Sequence, residues 1–65
     1  MCESAVYLVV GDSKNLVMAE AAKVLVSGSC VTCIDTLGDR KVVDGAELFE
    51  ANLVKHEILL REKKG

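Results

Sequence analysis

Few side chains in this 65-residue chain could do chemistry: three cysteines and a single histidine. Cys2 adjoins the α-amine of Met1, so a thiol and an amine stand within reach of one another before any folding occurs. Cys30-Val31-Thr32-Cys33 has the CxxC spacing of zinc and redox motifs. His56 is an imidazole that could ligate a metal or bond to a nearby loop, and the loop bond is the favoured reading.

The CxxC pair is weakened by its setting. It falls in a Val-, Ile- and Thr-rich run that reads as a strand, where residues three apart point to opposite faces and their sulfurs do not share an ion. A redox pair normally opens a helix, and a structural zinc site needs a second pair that this chain lacks. One thiol of the pair is expected to face the core and the other the outside, and core filling is favoured over chemistry for Cys30 and Cys33.

Glu3 beside Cys2 reads as a solvated carboxylate. Asp12, Asp35, Asp39 and Asp44 sit at or near turn signals, where aspartate bonds to its own backbone. No two carboxylates are spaced for acid and base work, and there is no phosphate-binding glycine motif, so the expectation is that the protein is not an enzyme.

The elements that would carry these groups are short. A chain of this length buries only about 60% of its unfolded surface. Its apolar fraction is 51%, with one Phe, one Tyr and no Trp, so a single domain spanning 1–65 with an aliphatic core is expected. A core that small favours a second subunit, and a homodimer is the expected assembly. Val6, Leu8 and Val10 would face one way and Tyr7 and Val9 the other, leaving one side of that strand for the partner. The net charge of −2 argues against nucleic acid, the one tight basic cluster being Arg61, Lys63 and Lys64. No run approaches the roughly 20 apolar residues of a membrane helix, the start lacks the basic region of a signal peptide, and the odd cysteine count suits reduced thiols. A cytoplasmic location is expected.

Gly11-Asp12, Ser27-Gly28-Ser29, Gly38-Asp39 and Asp44-Gly45 punctuate the chain. Val6 to Val10 reads as a buried strand, Lys23 to Ser27 and Cys30 to Leu37 as a hairpin, and Arg40 to Asp44 as another short strand. Two segments stay open on pattern alone. Leu16 to Ala22 is rich in helix formers, and the stretch from Asp44 to Leu60 fits either a capped helix or two strands turning near Val54-Lys55-His56.

"MCE" running into a strand, then "LVM", then "KVLVSGSCVTCIDTLGDRK" and "VVDGAELFEANLVKHEILL" together resemble the CooT family of small nickel-binding proteins. The most specific parts are the Met-Cys start and Gly45-x-x-Leu48-x-x-Ala51-Asn52-Leu53-x-x-His56-x-Ile58-x-Leu60; Cys30 and Cys33 lie outside the pattern. The resemblance implies an all-β fold, a small Sm-like or SH3-like barrel of about six or seven short antiparallel strands, and so two strands rather than a helix at the end. It implies a homodimer that delivers Ni(II) for carbon monoxide dehydrogenase maturation, in contact with that enzyme or its maturation machinery. It also implies that Cys2 is the metal ligand.

Nickel(II) with sulfur and nitrogen donors favours a square plane. With Met1 retained, the Met1 amine, the Cys2 amide nitrogen and the Cys2 thiolate form two fused five-membered chelate rings. With Met1 removed, Cys2 supplies an amine and thiolate pair, and two subunits could contribute one pair each. The runner-up is a small RNA-binding Sm-like barrel, a reading that rests on fold shape. A dimeric scaffold with inert thiols is the third.

Overall fold

The computed structural model describes residues 3–63. Six strands form one sheet: β1 (Ser4–Val10), β2 (Ser13–Ser27), β3 (Cys30–Asp35), β4 (Arg40–Asp44), β5 (Ala46–Asn52) and β6 (Glu57–Glu62). No described residue is helical. Leu16 to Ala22, for all its helix formers, lies inside the 15-residue β2, and the stretch after Asp44 is the β5–β6 hairpin. Tertiary pairing overrides helix propensity in both places.

The hairpins follow from local chemistry. Gly28 opens the two-residue loop between Ser27 and Cys30 at φ 59°, the positive value that a type II′ turn requires of its first residue. Asp35 closes β3 with its own side chain, Oδ1 accepting the N–H groups of Leu37 (2.9 Å) and Asp39 (3.0 Å). This is the local bonding expected of a turn aspartate.

The sheet order is β4-β3-β2-β1-β6-β5, so β4 and β5 are its two edges. Only Gly45, at φ 68°, separates them in sequence. Six strands laid flat would put the edges roughly 24 Å apart, whereas a single intervening residue spans about 7 Å. The sheet must therefore roll until the end of one edge meets the start of the other. Two backbone bonds pin this corner, Ala46 N–H to Ser29 O (3.0 Å) and Lys63 N–H to Gly45 O (2.8 Å). No ladder joins β4 to β5, and the sheet is rolled but not closed into a barrel.

One pairing departs from the antiparallel expectation. β1 and β6 run parallel, with Val6 opposite Ile58 and Leu8 opposite Leu60. The chain rolls from β4 through β5 before β6 arrives beside β1, so β6 is not a hairpin partner of β1 and its direction is set by β5. The inner face of the roll collects Val6, Ala21, Val31, Cys33, Ala46 and Leu60, all buried, with Leu8, Met18, Val24 and Ile58 packed against them. This core is aliphatic, as the composition requires, and no charged or polar side chain among the described residues is buried in it.

Candidate metal centre

β3 separates the CxxC thiols as strand geometry demands. Val31 and Cys33 point inward and are fully buried, while Cys30 lies on the other face, partly exposed. The Cys30 thiol donates to Asp44 Oδ1 at 2.7 Å, because register places Asp44 of β4 directly opposite it. That hydrogen bond, helped by burial and by the carboxylate's negative charge, raises the Cys30 pKa above its ordinary 9.0. Burial raises Cys33 likewise, and the positive charge of Lys41 offsets only part of that. Both shifts favour the neutral thiol over the thiolate that serves as nucleophile and metal ligand. Among the described residues no three His, Cys, Asp or Glu side chains gather around a common point.

The remaining candidates are Met1, Cys2 and His56. Met1 and Cys2 themselves lie outside the described residues. What leads to them is well defined. β1 is the strand between β2 and β6, with Ser4 opposite Ala21 on one side and Ala5 opposite Glu57 on the other. The Ala5 N–H donates to the backbone oxygen of His56 at 2.9 Å. β1 thus begins in the middle of the sheet beside the β5–β6 turn, which comprises Leu53, Val54, Lys55 and His56.

That turn is shaped by its sequence. Asn52 Oδ1 accepts the Lys55 N–H at 3.0 Å, and His56 adopts φ 54°. Leu53 and Val54 stand 77% and 91% exposed at its tip. The His56 imidazole is exposed and bonds to no described residue, so the loop bond expected of it is not made there; its backbone carbonyl, not its ring, makes the contact. Cys30 is five residues along β3 from Asp35, the residue level with Ser4 through Ala21, so it stands well away from this end.

At the opposite end of β1 lies a groove of about 540 Å³ lined by Val9, Val10, Gly11, Glu47, Phe49 and Arg61, with Glu62. Arg61 Nε donates to Glu47 Oε2 at 2.7 Å, and its guanidinium lies 4.8 Å from the Phe49 ring centroid. The groove had no signal in the sequence, since its residues come from strands that only register brings together. Tyr7 likewise carries Lys14 over its ring at 4.5 Å, while Lys14 pairs with Glu57 at 3.0 Å.

A helix-free sheet of six strands, rolled but not closed, makes the described residues a small all-β domain. The family model described as "CO dehydrogenase accessory protein CooT" matches residues 1–61, and the chain belongs to that family. The crystal structure of a chain assigned to CooT from Carboxydothermus hydrogenoformans superposes with a TM-score of 0.85 at 28% identity, covering 97% of this chain and 100% of that one. No curated protein matches. No helix among the described residues is long and apolar enough to cross a membrane.

Proposed function

We propose that this accessory protein captures a nickel(II) ion at its N-terminus, through Cys2 and the adjoining Met1 donors, and passes it on during maturation of CO dehydrogenase. Membership of the CooT family over residues 1–61, a match that includes the Met-Cys start, is the observation that carries this reading. The states of the other thiols support it. Cys30 is engaged by Asp44 and Cys33 is sealed in the core, which favours Cys2 among the three thiols as the donor.

Nickel is cargo here, and the donor set suits cargo. Capture displaces the protons of the Cys2 thiol and the terminal amine, and so weakens as pH falls. An ion held at a chain end can exchange ligands stepwise with an acceptor site. We read the assembly as a cytoplasmic homodimer and the rolled sheet as an open form of the Sm-like barrel. Val9, on the outer face of β1 with Tyr7, is the position where an added charge would disturb a partner subunit on that face.

Titration of Ni(II) into the wild type and Cys2→Ser, followed by thiolate-to-nickel charge-transfer absorption, tests the reading. A saturating band in the wild type that is lost in Cys2→Ser supports it. Equal bands in both proteins overturn it.

A further inference from the structure

The sheet has two edges, β4 and β5, and only one of them is regular. On β5 the register with β6 slips between Leu48 and Glu50, so Phe49 bulges and interrupts the row of backbone groups that an added strand would need. β4 keeps unbroken register with β3, from Arg40 opposite Ile34 to Asp44 opposite Cys30, and Arg40, Lys41, Val42 and Asp44 are exposed. The Asp35 N–H donates to the Asp39 oxygen at 2.9 Å, which fixes the phase of this ladder. Backbone groups alternate sides along a strand, so Lys41 and Val43 bond to Cys33 and Val31, while the N–H and C=O groups of Arg40, Val42 and Asp44 point away from the sheet. Among the described residues no backbone bond outside the ladders ends on any of these three.

We propose that β4 is an interface with a second copy of this chain, the two β4 strands pairing antiparallel about a twofold axis at Val42 and joining two sheets edge to edge. The inference rests on the homodimer reading above and gives that dimer a surface. Arg40-Lys41-Val42-Val43-Asp44 is basic at one end and acidic at the other, so it complements itself only when reversed. Centred on Val42, the pairing sets Val42 against the partner's Val42 and Arg40 against the partner's Asp44 on both sides of the axis. These are the residues whose backbone groups point outward, so each pair can exchange two N–H···O bonds. Their side chains agree with the backbone. Arg40, Val42 and Asp44 lie on the outer face with Ile34, Thr32 and Cys30, where opposite charges directly across a strand pair attract. Lys41 falls opposite the partner's Val43, so no like charges stand directly opposed. Asp44 is already oriented, because its Oδ1 accepts the Cys30 thiol at 2.7 Å, and its other carboxylate oxygen bonds to no described residue. Register also places Leu25, Thr32 and Val42 in one outer row, with Leu25 47% and Val42 54% exposed, and the pairing continues that apolar row across the axis.

Val42→Pro gives a specific test, since it removes an N–H that β3 does not use and proline is tolerated at such edge positions. The full-length wild type, Val42→Pro, Arg40→Asp and the charge-swapped double variant Arg40→Asp with Asp44→Arg are compared by sedimentation equilibrium, and amide hydrogen exchange is followed in the 15N-labelled wild type. The expected result is a wild-type dimer, at least about tenfold weaker association in each single variant, and recovery in the double variant, in which opposite charges again face each other. In the wild-type dimer the amides of Arg40, Val42 and Asp44 should exchange as slowly as those of Lys41 and Val43. A dimer whose association is unchanged in both single variants, a double variant no tighter than Arg40→Asp, or a Val42 amide that exchanges freely while Lys41 and Val43 are protected overturns this surface and leaves the homodimer reading standing. A monomeric wild type overturns both. Growth into open-ended assemblies overturns the twofold pairing. If a variant loses its β circular dichroism spectrum, the wild-type exchange pattern decides alone.

Discussion

Leu60 is where the fold's dependence on its small core can be measured most directly. It is the largest of the fully buried side chains, and register seats it between Leu8 of β1 and Leu48 of β5. Truncating a buried leucine to alanine costs about 2–5 kcal/mol, combining the lost transfer free energy with the cavity left behind. Stability of roughly 0.05–0.15 kcal/mol per residue gives a chain of this length about 3–10 kcal/mol in total. Leu60→Ala should therefore remove from about a fifth to all of it. Leu37, 87% exposed in the turn after β3, undergoes the same chemical change at the surface, and Leu37→Ala should stay within about 0.5 kcal/mol of the wild type. Urea unfolding followed by far-UV circular dichroism, at one protein concentration because association adds to apparent stability, compares the two. If both variants unfold at the same midpoint, the packing assigned to the inner face of the roll is wrong.

Two further outcomes follow from single residues. Cys33 has a folded pKa raised above 9.0 by burial, so the unfolded chain loses this proton first. Its contribution to stability is complete below that value and drains away as pH rises through the raised folded pKa; Cys33→Ala should flatten the alkaline slope by up to about 1.4 kcal/mol per pH unit, and identical slopes would show the thiol ionising equally in both states. At Gly45, φ is 68° and an added Cβ would meet nothing within 4 Å, so Gly45→Ala should cost only the left-handed penalty of about 1–2 kcal/mol, read as a fall in melting temperature. A loss far beyond that would mean the corner between β4 and β5 is packed more tightly than the geometry indicates.

The turns were the most legible part of the chain. Glycine and aspartate act through their own backbone, so Gly11-Asp12, Gly28-Ser29 and the Asp35 clip could be placed without knowing what lies nearby. The strands at Val6 to Val10, Cys30 to Leu37 and Arg40 to Asp44 were visible for a similar reason, being short β-branched runs between such punctuation marks, although β3 stops at Asp35, two residues before the expected end. Leu16 to Ala22 was not, because alanine, leucine and methionine favour a helix in isolation and only pairing with β1 on one side and β3 on the other makes this segment the middle of a long strand.

The same division runs through the candidate site. Residue identity alone established which donors exist, that Cys2 adjoins an amine, and that a CxxC on a strand points its thiols apart, since these depend on covalent adjacency and on the two-residue period of a strand. Tertiary structure decided everything that depends on neighbours distant in sequence. It set Asp44 against Cys30, sealed Cys33 in the core, rolled the sheet so that β6 runs parallel to β1, and thereby laid His56 beside the start of β1. Direction and register of a strand are chosen by the whole sheet, and no local run of residues carries that information.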